Sequence, residues 1–209
     1  MTEPPSARQV RGALDGGWAE AFRRLASRLT HELRNPLNGL MVNLEVLKGR
    51  SARENLSAGA LRPFAEAAAA EGARTVSLFE AFLTLARATP APVDLGGALR
   101  PLITVLDAIA ARSGGKVTLE ESVVAVEADA DADLVRLATF AVMESSLETG
   151  REIRLQPEAD SEHATLRISG VDHPSAPNER NHPSVYFVRV ASGDVLIRFP
   201  PHRGMTESQ

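Results

Sequence analysis

His31 and Glu32 stand side by side in the chain, with Arg34 and Asn35 about one helical turn further on. These residue types at this spacing suit phosphoryl chemistry. A neutral imidazole nitrogen can attack phosphorus and hold the group covalently. A neighbouring carboxylate can accept the N–H of the other ring nitrogen, which fixes the tautomer and makes the free nitrogen more nucleophilic. A carboxamide one turn later could orient a water for hydrolysis of the phosphohistidine. Arginines on the same face could hold phosphate oxygens or an acidic partner.

The element that must present these residues is a helix. Phe22, Leu25, Leu29, Leu33, Leu37, Leu40, Leu44 and Leu47 recur every three or four residues, the pattern of one apolar helical stripe over about 30 residues, roughly 45 Å. His31 lies two positions from both Leu29 and Leu33. At about 100° per residue it points away from the stripe, on the side of Arg24, Arg28, Asn35 and Asn38. Pro36 interrupts the stripe, removes an N–H donor and crowds the carbonyl of Glu32, a cost of about 3 kcal/mol in a helix interior. The spacing alone leaves two readings open: a kink placed beside an exposed nucleophile, or a surface histidine beside an incidental kink.

A second stripe runs through Leu61, Phe64, Ala68, Gly72, Val76, Phe79, Leu83 and Ala86. Pro63 falls near its first turn, and Pro90 and Pro92 follow its end, where proline is tolerated. Two such helices with a short join predict an antiparallel hairpin. One hairpin cannot enclose its own stripes. Pairing two into a four-helix bundle would bury them, and docking on the second half of the same chain is the alternative.

Composition narrows the classes further. The 209 residues are 44% hydrophobic and 24% charged, with no cysteine, which excludes disulfides, thiolate zinc sites and cysteine nucleophiles. No stretch reaches the roughly 18 apolar residues of a membrane span, and the first ten residues lack a secretory signal's apolar core. With nine aromatic residues, base stacking is not expected, and neither is nucleic-acid or membrane binding. A cytoplasmic protein is expected. Residues 1–92 carry 12 basic and 9 acidic residues, net +3, whereas residues 93–209 carry 11 and 18, net −7.

The second half has mixed texture. Residues 95–112 and 133–147 read as helices, while 117–119, 123–127, 153–155, 164–169, 186–190 and 195–199 read as strands. The expected fold class is α+β: a long antiparallel hairpin followed by a small α/β sandwich, with helices on one face of the sheet. The expected divisions are a flexible leader or a short extra helix at 1–17, the hairpin 18–89, the sandwich domain 93–201 and a tail 202–209. Asp129, Asp131 and Asp133 read as a turn and helix N-cap. His163, His173, His182 and His202 read as solvated loop histidines, so no metal site is expected.

The run His31-Glu32-Leu33-Arg34-Asn35-Pro36-Leu37, with Asn38-Gly39-Leu40 after it, resembles the H-box of bacterial two-component sensor histidine kinases. The resemblance covers about residues 18–88, a dimerisation and histidine-phosphotransfer domain. It implies His31 as phospho-acceptor, Glu32 as acid/base and Asn35 at the position that supports phosphatase activity. Pro92-Val93-Asp94-Leu95 and the elements after it resemble, more weakly, the family's catalytic and ATP-binding domain. The chemistry of that domain does not carry over. Residues 133–147 contain no asparagine to hold magnesium, and Glu144 is the nearest polar candidate. Where an Asp-x-Gly-x-Gly adenine contact should fall, Asp172 is followed by Pro174 and Ala176 in place of both glycines. No bound cofactor is therefore expected, with ATP and magnesium lost.

The resemblance thus suggests a homodimeric histidine phosphotransferase of a phosphorelay. His31 would carry a phosphoryl group between receiver-domain aspartates, with Arg28, Arg34 and Asn38 contacting a response-regulator receiver and an upstream hybrid kinase as a further partner. Two alternatives remain. One is a divergent ATP-dependent sensor kinase, or a phosphatase of a response regulator. Against the kinase stand the missing asparagine and glycines, and the lack of a sensor region in these 209 residues. The other is a non-catalytic module that binds and inhibits a kinase or response regulator.

Overall fold

In a computed structural model, which describes residues 7–52, 58–160, 162–171, 185–190 and 192–201, the leucine stripe is one helix, α1 (Ala7–Ser51). It starts well before Trp18, within the segment expected to be a flexible leader or a short extra helix. Once a helix is nucleated, each added residue gains a hydrogen bond, and no proline lies between Ala7 and Trp18 to stop it. Gly17 passes close to the second half of the chain: a Cβ there would stand 3.0 Å from Leu137 Cδ2. The helix continues through Pro36, which is buried. α2 (Ala58–Leu85) returns antiparallel, with Pro63 exposed near its first turn.

The second half begins with β1 (Val93–Asp94) and α3 (Leu95–Ala111), followed by β2 (Lys116–Leu119) and β3 (Glu127–Ala128). It continues through α4 (Ala132–Met143), β4 (Glu152–Ala159), β5 (Ala164–Ser169), β6 (Tyr186–Arg189) and β7 (Val195–Phe199). Five strands form one sheet in the order β2-β4-β5-β7-β6, in which only the β2–β4 pair is parallel. β1 and β3 form a separate two-residue ladder. The expected strand at 123–127 shrinks to β3, and Val123 is fully exposed. Asp94 governs this region, because its carboxylate caps α3 at Gly97 N (2.7 Å) and also accepts from Val126 N (3.1 Å). Asp131 caps α4 at Leu134 N (2.8 Å), in line with the turn-and-cap reading. α4 ends at Met143, four residues earlier than the apolar spacing predicts, and a run of turns leads to Gly150, whose φ of 75° suits glycine.

α3 and α4 are apolar on more than one face. Leu106 and Phe140 are fully buried in the core these helices share with the sheet, and the two helices also take up the lower half of the hairpin, where Arg24 of α1 lies 5.9 Å from the Phe140 ring. Trp18, Leu25 and Leu29 of α1 and Leu78, Ala81 and Leu85 of α2 belong to the same buried core as α3, α4 and the sheet. Trp18, Phe22 and Phe82 extend it as a ladder of rings, with Phe22 and Phe82 stacked 4.8 Å apart. Each fully buried leucine contributes roughly 1.5–3 kcal/mol of burial. The stripes therefore divide. The lower half docks on its own chain, as in the alternative reading, while Leu37, Met41, Leu44, Val76, Phe79 and Leu83 remain 44–57% exposed.

Candidate phospho-acceptor site

His31 stands exposed on α1, and Arg34, Asn35 and Asn38 are exposed on the same helix. Among the described residues, none of these four side chains is held by a hydrogen bond or ion pair. Glu32, one residue on, has the opposite environment. It is 6% exposed, under the C-terminal end of α3, where Arg112 Nη1 lies 4.0 Å from its Oε1.

That pair belongs to a larger ionic cluster between the hairpin and the second domain. Arg24 grips Glu144 with two nitrogens, Nε to Oε1 at 3.0 Å and Nη2 to Oε2 at 3.3 Å, the fork geometry that makes arginine–carboxylate pairs strong. Arg28 lies 3.8 Å from Glu144 and 4.0 Å from Glu148. Arg112 in turn donates to Glu148 at 3.3 Å. Three arginines thus meet three glutamates around the base of the H-box. The structure places Arg28, expected to contact a partner, against the second domain, whereas Arg34 and Asn38 stay open.

Arg112 and Glu148 were not legible as site residues. They lie 80 and 116 positions from Glu32, and no local pattern marks them. The opposite net charges of the two halves fit Arg24 and Arg28 meeting Glu144 and Glu148, but Arg112, a cation from the acidic half that meets Glu32, runs against them.

α4 is tied to the hairpin exit by Arg136. This side chain is buried and donates to Ala98 O (3.2 Å), Arg87 O (3.1 Å) and Asp133 Oδ1 (3.2 Å). Burial pushes its pKa below the usual arginine value, against the opposing pull of the Asp133 carboxylate. Thr139 spends its hydroxyl on Val135 O at 2.8 Å. Asp172, His173, Pro174, Ala176, His182 and His202 lie outside the described residues. His163 does not stand free in a loop. Its backbone N–H donates to Asp160 at 2.7 Å and its ring meets Tyr186 edge-on at 6.4 Å.

An exposed imidazole on the first helix of a hairpin, followed by an acidic residue, asparagine and proline, is the arrangement that the H-box resemblance leads one to expect. Residues 22–91 match the sequence profile of the His Kinase A (phospho-acceptor) domain. This hairpin is a His Kinase A domain. The domain places the chain in two-component signalling, with phosphotransfer on histidine as its chemistry. No curated protein matches the sequence. Among solved structures, the Acinetobacter baumannii histidine kinase AdeS is similar at 12% identity and TM-score 0.41, covering 83% of this chain and 98% of that one. A histidine kinase from Burkholderia phymatum STM815 is similar at 15% identity and TM-score 0.39, covering 94% and 98%. The histidine kinase ThkA, in complex with the response regulator protein TrrA, is similar at 13% identity and TM-score 0.42, covering 93% of this chain and 64% of that one. Among the described residues, no helix is long and apolar enough to cross a membrane.

Proposed function

We propose that the protein is a cytoplasmic, dimeric histidine phosphotransferase that moves a phosphoryl group between receiver-domain aspartates through His31, without using ATP. In the inward step the receiver's O–P bond breaks and returns its aspartate as a carboxylate, while a nitrogen–phosphorus bond forms at His31. The outward step reverses this onto a second receiver. Arg34, Asn35 and Asn38 are the exposed groups beside His31 that such a partner would meet, and Asn35 is placed to orient a water if the phosphohistidine is hydrolysed.

The single observation that carries the reading is the commitment of Glu144. It is the acidic residue nearest to where a magnesium-holding side chain would stand. Both of its carboxylate oxygens are occupied by Arg24 from the hairpin. α4 itself has no carboxamide, and Arg136 and Thr139 are spent on backbone carbonyls. These residues do not fit a magnesium nucleotide, so no step is routed through one. The phospho-acceptor domain would serve an ATP-dependent kinase equally well, and the discriminating experiment is direct. The full chain incubated with γ-labelled ATP and magnesium is expected to remain unlabelled, with any nucleotide affinity weaker than about 1 mM. Incubation with a panel of phosphorylated receivers should label His31. Micromolar ATP affinity with label arriving on His31 from ATP would overturn the proposal in favour of a kinase.

The dimer rests on the apolar side chains left open above the docked half of the hairpin. Isolated exposed apolar residues are ordinary, but six large ones on two paired helices mark an interaction surface. A second hairpin would cover them as a four-helix bundle. Phe79→Glu should raise the dimer dissociation constant by about 100-fold or more, because an unpaired carboxylate would enter the seam. Light scattering across a dilution series checks this. A wild-type chain that stays monomeric at tens of micromolar would refute the dimer.

A further inference from the structure

The Glu32 carboxylate belongs to the H-box by sequence but to the domain interface by structure. A buried carboxylate needs a compensating charge. For Glu32 that charge is Arg112 at 4.0 Å, from the far end of α3. The groups facing it from the packed elements are Arg28 one turn earlier on α1, Arg112 after α3, and Glu144 and Glu148 after α4. All the cations in this set are shared with other carboxylates, and His31 takes no part in it.

We infer that Arg112 is a positioning residue: in the docked arrangement it holds the Glu32 carboxylate away from the His31 ring, so the second domain decides when the phospho-acceptor has its base. With Arg112 in place, the imidazole lacks the carboxylate that would fix its tautomer. Without Arg112, Glu32 is left as a carboxylate short of its counter-charge in a closed site, and its flexible side chain turns outward. The adjacent exposed group on the helix is His31. Docking itself does not depend on this pair, because Trp18, Leu25, Leu29, Leu78 and Leu85 are buried in the common core.

The inference rests on His31 as phospho-acceptor for its kinetic test, though not for its spectroscopic one. Potassium phosphoramidate serves as a partner-free donor: its P–N bond breaks, a bond from phosphorus to a His31 nitrogen forms, and ammonia leaves. Arg112→Gln is expected to form phosphohistidine about tenfold faster than wild type, a modest share of what general-base assistance supplies. Arg112→Lys should stay near wild type. Arg112→Gln combined with Glu32→Gln should lose the gain. In 15N spectra, Arg112→Gln should move the His31 ring towards the Nδ1–H tautomer. Trp18, the sole tryptophan, reports docking by its fluorescence, which should not change.

An unchanged or slower rate with an unchanged tautomer would overturn the inference. So would a gain that survives the double substitution, or one accompanied by red-shifted Trp18 emission, which would mean wholesale undocking. A tautomer shift without label in any variant would support the role of Arg112 while sinking the phospho-acceptor reading.

Discussion

His31→Gln should abolish phosphoryl acceptance, reducing label from phosphorylated receivers to below about 1% of wild type, while the fold melts unchanged. His31 is the one histidine on α1, so no second imidazole of that helix can take its place as nucleophile. The side chain is exposed and engages no partner among the described residues, so its loss falls in the class of surface changes worth within about 0.5 kcal/mol. The substitution therefore separates chemistry from folding. It also separates the phosphotransferase from a module that only binds and blocks. If pathway output and partner phosphorylation survived His31→Gln, binding alone would account for the protein. Label persisting on the variant, for instance at His163, would mean that the acceptor has been misassigned. Phosphohistidine mapping by mass spectrometry, paired with thermal unfolding, checks both halves of the expectation.

The largest effect on stability is expected at Arg136. Its guanidinium joins α4 to the first turns of α3 through Ala98 O and to the end of the hairpin through Arg87 O, with Asp133 as its counter-charge. Arg136→Leu fills a similar volume but removes the donor to Arg87 O and Ala98 O and a counter-charge of Asp133. Breaking a buried charged pair in this way costs about 3–5 kcal/mol, which is comparable to the whole stability of a marginal domain. Asp133 is partly exposed and water can reach it, so the loss should lie towards the lower end of that range. Urea unfolding followed by far-UV circular dichroism should show the midpoint falling with the slope unchanged. A loss below 1 kcal/mol would show that solvent, not Arg136, satisfies these carbonyls. Arg136 also anchors the residues that lead out of α2. Any variant folded well enough to assay should therefore loosen the docking that holds Arg112 against Glu32.

Both predictions bear on how much was readable beforehand. The exposed position of His31 followed from counting residues between Leu29 and Leu33, because a helix converts spacing into angle. The strands at 164–169 and 195–199 emerged with their bounds intact, since alternation on a half-covered sheet is a local signal. The strand expected at 123–127 failed for a non-local reason. Its backbone groups at Val126 go to the Asp94 carboxylate and the Leu95 N–H, so little remains for a ladder. Arg28 also shows the limit of local reading. Its type and face suited a partner's acidic surface, and the nearest acidic surface turned out to be Glu144 and Glu148 of its own chain.

Residue types and helical period were sufficient to predict an exposed His31 and the hairpin that presents it, and the resemblance of the H-box run pointed to the phospho-acceptor domain. These are properties of contiguous segments, in which each residue's direction follows from its neighbours. Which face of that hairpin is covered, and by what, could not be read in the same way. Trp18, Leu29 and Leu85 enter a core built largely from α3, α4 and the sheet, and Glu32 meets an arginine 80 positions away. Such contacts are set by the packing of two domains. The stripe pattern is identical whether a second copy or the chain's own second half provides the cover, and here the lower half of the hairpin takes the second.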